Sequence, residues 1–236
     1  MTEIHCEFDQ VPFGVLTLGS GKSIPEMSTA SLRIKLVKEL KKERKRITRF
    51  IADIYQQTYQ ADIKVDYPYL ICLEDTDREI QAAAGFRPAA EAPLFLEQYL
   101  SSPVEEQVLC GRAEIVEIGN LAGTGQGAAT FLFAVMAAYF DHQNFTTAVA
   151  TGSPFLERRF RQLGLQPRKL APARQISLKT TVENWGSYYR SEPYVMAGSI
   201  SHGYQRLKNF FGLEFFKSPF DAPSTPRSTK VKRHAI

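Results

Sequence analysis

The chain has 236 residues, 44% of them hydrophobic and 11% aromatic, with a formal net charge of +4. This suits one large domain or two small ones with a packed core, and excludes a fibrous or wholly disordered protein. No run reaches the roughly 18 consecutive apolar residues that a bilayer-spanning helix needs; the longest, Ala128 to Phe140, falls short.

Met1 to Gln10 carries acids where a cleaved secretory signal needs a basic and then an apolar segment, so a cytoplasmic protein is expected. Residues 1–27 alternate polar and apolar positions around Pro12, Gly14, Gly19, Gly21 and Pro25. This fits a strand or two with turns, or a loosely attached arm, and the segment is set apart as an N-terminal arm. A helix is predicted from Ser28 to about Gln60, capped by Ser28 or Thr29, because Leu32, Leu36, Leu40, Ile47, Ile51 and Tyr55 recur at helical spacing. Between Arg33 and Arg49 stand nine Lys or Arg against Glu39 and Glu43 alone, which would give this helix a positive face.

Tyr69 to Asp75 reads as a buried strand, followed by an acidic turn and a second strand through Ala82 to Arg87. A short helix is predicted at Leu94 to Leu100, then a strand at Ala113 to Gly119 and a glycine-rich turn, Gly123-Thr124-Gly125-Gln126-Gly127. The helix that follows, Ala128 to His142, is apolar nearly all round and belongs against a sheet. A strand at Thr146 to Thr151 precedes a helix started by Ser153-Pro154, with Gly164 as its left-handed terminator. Beyond it lie the aromatic cluster Trp185, Tyr188, Tyr189 and Tyr194, a strand near Val195 to Ala197 and a helix near Tyr204 to Phe211. The domain is taken to end at residue 216. Residues 217–236 have the composition of a disordered basic tail.

Cys6, Cys72 and Cys110 form an odd set without short spacings, and His5, His142, His202 and His234 follow no ligand pattern. Neither a disulfide framework nor a metal site is expected. The basic run lacks interleaved aromatics, so nucleic acid is not an expected partner.

The chemistry-bearing stretch begins at Glu117. A carboxylate at a strand end beside a glycine-rich turn could act as general base or hold an amine, although an outward acid paired with an arginine is an equal reading. Arg87, ending the preceding strand, could bind a carboxylate. Asn120 to Gly127 leads from strand to helix, where the N–H groups around Gly123, Gly125 and Gly127 could take up an anion such as the pyrophosphate of coenzyme A or a phosphopantetheine phosphate. A purely structural turn fits as well. Trp185, Tyr188 and Tyr189 fit either a core or an aromatic pocket wall.

These residues fall in blocks that resemble the thermostable hemolysin family: Phe50-Ile51 with Tyr55, Tyr59 and Ala61; Ala84-Gly85 with Arg87; Leu94 to Leu100; Val116 to Ala122; Phe160-Arg161 with Leu163 to Leu165 and Pro167; and Trp185 to Tyr189 through Gly198. The resemblance covers roughly residues 45 to 205. The family is similar in layout to the acyl-homoserine-lactone synthases, implying a mixed α/β, GNAT-like acyltransferase fold: a mostly antiparallel sheet flanked by helices. Where those synthases usually carry Ser-Arg after the strand glutamate, this chain has Ile118-Gly119-Asn120, a departure that tells against lactone formation.

The resemblance implies an N-acyltransferase without a tightly bound cofactor. Its donor would be an acyl thioester of coenzyme A or of an acidic acyl carrier protein drawn to the basic helix; its acceptor would be a small-molecule amine. The strand bend at Gly119-Asn120-Leu121 would aim a backbone N–H at the thioester carbonyl, Glu117 would orient or deprotonate the amine, and Arg87, Glu97, Tyr188 and Tyr189 would shape the acceptor pocket. The alternative is a non-enzymatic, membrane-active or interaction protein on a degenerate form of the same fold, without stable membrane insertion.

Overall fold

A computed structural model of the chain describes residues 2–19, 32–179 and 184–217. The first two strands, β1 (Thr2–Phe8) and β2 (Val11–Leu18), form a hairpin closed by Asp9 and Gln10, both with positive φ, the backbone of a two-residue turn matched to strand twist. The Asp9 carboxylate accepts N–H bonds from Lys38 at 3.0 Å and Glu39 at 3.2 Å. Residues 2–18 therefore hold two strands of the main sheet; residues 20–31, including Ser28 and Thr29, lie outside the described residues.

A strand, β3 (Arg33–Val37), replaces the first part of the expected long helix, and α1 starts only at Lys41, running to Tyr59. Leu32, Leu36 and Leu40 fit a helical repeat, but Leu32, Ile34 and Leu36 are the buried positions, and that period of two puts Arg33 and Lys35 on the other face. The basic run is accordingly divided. Lys41, Lys42, Lys45 and Arg49 are exposed on α1, whereas Arg44 reaches the carbonyls of Tyr67 and Pro68, and Arg46 pairs with the buried Glu74.

β4 (Tyr69–Glu74) and β5 (Ile80–Pro88) form the central hairpin. A 3-10 turn at Phe95–Tyr99 and a short helix, α2 (Val104–Val108), lead to β6 (Ile115–Gly123). Then follow α3 (Gln126–His142), β7 (Thr147–Gly152), α4 (Pro154–Gln162), β8 (Arg168–Pro172), β9 (Tyr194–Ser199), α5 (Ile200–Phe211) and β10 (Leu213–Lys217). Ser153 caps α4 by accepting from the Leu156 N–H at 3.4 Å, and Gly164 stands at φ +78° beyond its end.

The ten strands among the described residues make one sheet, ordered β10-β2-β1-β3-β4-β5-β6-β7-β9-β8. Neighbours are antiparallel except β1–β3 and β6–β7. One face carries α1, with Ile47, Ile51 and Tyr55 buried. The other carries α3, whose Phe131, Leu132, Met136 and Phe140 are enclosed between the sheet and α5. Among the described residues no helix is long and apolar enough to cross a membrane.

Candidate active site

The sheet is interrupted at β6. Gly85 of β5 lies opposite Gly119, but Ala83 lies opposite Ala122, so β6 carries one extra residue over this interval. The extra residue bulges at Asn120, whose φ is +50°. A bulge of this kind bends its strand and takes backbone groups out of the ladder. On the other side of β6 the parallel ladder with β7 ends at Ile118↔Ala150, while β7 continues to Gly152 paired with β9. The two strands part where β6 is kinked.

A cavity opens on each side of this parting. The larger, about 810 Å³, lies on the α1 side and is lined by Tyr55, Tyr67, Arg87, Phe95, Gly119 and Asn120, and further by Trp185, Tyr188 and Tyr189. Its size is that of a small-molecule site. The Trp185 indole N–H and the Thr151 hydroxyl are buried without a hydrogen-bond partner among the described residues, and both residues line this cavity. Buried donors are rarely left unsatisfied, so a polar ligand suits the site. The smaller cavity, about 250 Å³, lies on the α3 side among Phe133, Phe140, Phe160, Met196, Gly198 and Leu207. Ile118 lines both.

Asn120 sits on the larger cavity, which Tyr55 also lines. Leu121 turns the other way and packs into the α3-side core. Tyr188 and Tyr189 form the cavity wall: the Tyr188 ring packs edge-on against Tyr59 and Tyr189, and the Tyr189 hydroxyl lies 2.5 Å from that of Tyr99. Gly123 ends β6, Gly125 is the N-cap of α3 and Gly127 lies in its first turn; no side chain caps this helix start.

Glu117 is buried beneath the cavity wall and does not line the cavity. Its two oxygens accept the N–H groups of Phe95 at 3.0 Å and Leu96 at 2.8 Å. Burial pushes the carboxyl up to about 7, against these two bonds and the charge of Arg87, which pull the other way. Desolvation of the charged form thus outweighs hydrogen bonding. Glu97 departs from the sequence reading more sharply. Its oxygens are gripped by the Arg112 guanidinium at 2.6 and 2.9 Å, and one also accepts the Leu94 N–H at 2.8 Å. The hydrogen bonds from Arg112 hold its carboxyl below the usual range. Glu97 is absent from the cavity lining; its work is to fold the Leu94–Tyr99 segment, because an arginine at long range in sequence has taken its charge.

Arg87 does line the cavity. It donates to the carbonyls of Pro93 at 3.0 Å and Asp66 at 2.6 Å, with its guanidinium 5.4 Å from the centre of the Tyr67 ring. Tyr67 itself is not singled out by the sequence, although it lies at the centre of the site. A Cβ placed on Gly85 would stand 2.6 Å from its ring, and one on Gly119 would collide with its hydroxyl. The signal was present in these two glycines, but only their cross-strand register makes it legible. Among the described residues no three His, Cys, Asp or Glu side chains group so as to hold a metal ion.

A mixed sheet whose central parallel strands splay at a bulge, with helices on both faces, is the GNAT-like acyltransferase fold. Solved structures with this architecture include the coenzyme A-dependent acyl-homoserine lactone synthase BjaI, recorded with SAM and isopentyl-CoA (14% identity, TM-score 0.54, covering 76% of this chain and 89% of that one). Another is FeeM, an N-acyl amino acid synthase from uncultured soil microbes (12% identity, TM-score 0.54, 78% and 98% covered). A third is the coenzyme A-dependent lactone synthase MesI (18% identity, TM-score 0.51, 77% and 96% covered). No curated protein sequence matches the chain. Residues 37–204 match the thermostable hemolysin family, and the chain belongs to it.

Proposed function

We propose that this protein is an N-acyltransferase that moves an acyl group from a thioester to the amine of a small molecule. The observation that carries this reading is the pair of unlike cavities meeting at Ile118, where β6 and β7 part beside the Asn120 bulge. An acyl chain suits the apolar cavity and an amine the aromatic one, which brings carbonyl carbon and nitrogen together at the bulge. A backbone N–H there would face the carbonyl oxygen as it becomes an oxyanion.

The donor is coenzyme A or the phosphopantetheine arm of an acyl carrier protein, with the uncapped start of α3 at Gly125 receiving a phosphate. The exposed lysines of α1 would raise the encounter rate with an acidic carrier in a salt-dependent way. FeeM, an N-acyl amino acid synthase, and BjaI, an acyl-homoserine lactone synthase, support an amine acceptor; Arg87 offers its cation to an acceptor carboxylate. Glu117 braces the Phe95 wall and, titrating near neutrality, serves as the sink for the amine proton through intervening water.

The test is incubation of the protein with coenzyme A and carrier-protein thioesters and pooled amines, read by mass spectrometry. Protein-dependent thioester loss with an amide product is expected; thioesters left intact across both donor types would refute the proposal. Release of dye from lipid vesicles by the purified protein at low concentration, without thioester turnover, would favour a membrane-active protein instead.

A further inference from the structure

Tyr67 approaches the bulge from the acceptor side, and several contacts fix where its hydroxyl stands. The backbone is tied down by Arg44, which donates to the Tyr67 carbonyl at 2.7 Å and to that of Pro68 at 2.8 Å. The ring lies over Gly85 and Gly119, partners in the β5–β6 ladder, with the Arg87 guanidinium on it. The hydroxyl therefore rests over Gly119, one residue before the Asn120 bulge, in a residue that lines the larger cavity. Among the described residues it has no hydrogen-bond partner. Burial, and then the negative charge of Glu117, keep the phenol protonated well above its ordinary range, so near neutrality it can give a hydrogen bond and cannot act as a base.

We propose that the Tyr67 hydroxyl donates a hydrogen bond to the thioester carbonyl oxygen as it becomes an oxyanion, supplementing the backbone N–H of the bulge; this rests on the acyl-transfer reading above. In the step served, the amine nitrogen bonds to the carbonyl carbon and the π pair moves to oxygen. As the pair returns, the C–S bond breaks, the sulfur departs as thiolate and one amine proton passes through water to Glu117. Tyr67 keeps its proton throughout. Such a donor acts through the transition state rather than through binding, and removing one from an oxyanion site lowers turnover about 10²- to 10³-fold.

The experiment is Tyr67→Phe in the full chain, assayed with the thioester and amine that the unaltered protein uses. The ring still fills the trough over the two glycines, so an unchanged thermal midpoint is expected. With it should come a fall in kcat of about 10²-fold and KM values within about threefold for both substrates. A kcat within about twofold of the parent overturns the proposal, as does a loss that tracks a lowered thermal midpoint. A second arm uses thioesters of more acidic thiols. A constant deficit supports the oxyanion, whereas a deficit that vanishes with the better leaving group assigns the hydroxyl to the sulfur and overturns it. If the unaltered protein turns over no thioester, the acyltransferase reading itself falls; if it is active and the Phe variant equals it, only the assignment to Tyr67 does.

Discussion

Ile118 of β6 and Ala150 of β7 form the last rung of the parallel ladder between these strands, and both line the apolar cavity beneath it. Backbone pairing thus ends where the cavity begins, which ties the proposed chemistry to a defect in the sheet.

The far side of the apolar cavity is open to reshaping at Gly198. A Cβ built there meets nothing within 4 Å, and the residue lines the cavity. Gly198→Leu is expected to shorten the space for the acyl chain, lowering kcat/KM for long-chain thioesters at least about tenfold while sparing the shortest ones, an effect of the size that a few methylenes in an apolar pocket carry. Steady-state kinetics across a series of acyl lengths checks this.

Glu117→Gln is expected to lower turnover at least about tenfold, with the fold retained. It should also change how stability depends on pH. Because burial raises the Glu117 carboxyl to about 7 from an ordinary 4.5, the unfolded chain releases this proton before the folded one does. The contribution is full below about pH 4.5 and is lost as pH rises through about 7, amounting to at most about 3 kcal/mol. Denaturant unfolding at several pH values should show the stability of the parent falling relative to the Gln variant across that window. A constant difference would mean that the carboxyl titrates at its ordinary value.

Gly119→Ala would force a methyl group into the Tyr67 hydroxyl. Overpacking of this kind costs about 1–3 kcal/mol, and the ring must leave its trough over the bulge. Combining it with Tyr67→Ala should restore part of the loss, giving a coupling in a double-mutant cycle of unfolding free energies. Additive losses would show that the ring does not rest on Gly119.

Arg112→Met should release Glu97 and loosen the Phe95–Tyr99 turn. The pair is partly exposed, with side chains 29% and 20% accessible, so a modest loss of about 1–2 kcal/mol is expected. Hydrogen exchange localised to residues 94–100 would report it. Global destabilisation without local loosening would contradict the role given to this ion pair.

The parts of the fold that were legible in the sequence are those set by neighbours in the chain. Ser153-Pro154 and Gly164 bound α4 through contacts a few residues apart, and the strand, glycine turn and apolar helix from Ile115 to His142 announce themselves by composition. The division of the basic segment into β3 and α1 was not legible, because leucines four apart satisfy both periods until burial decides. The edge strands β8 and β10 escaped notice for want of a long apolar pattern. Asn120 and Arg87, which line the larger cavity, drew attention by their position beside the turn and strand end. Tyr67 and the capture of Glu97 by Arg112 did not, since both depend on residues brought together only by the sheet.

At one margin of the sheet β10 lies antiparallel to β2, Leu213 beside Leu18 and Phe215 beside Leu16. Trimming the protein back to Phe211 would strip this seam and leave β2 a bare template for strands of other molecules. Shortened versions made for crystallisation should therefore clump, and those that keep Leu213–Lys217 should stay dispersed.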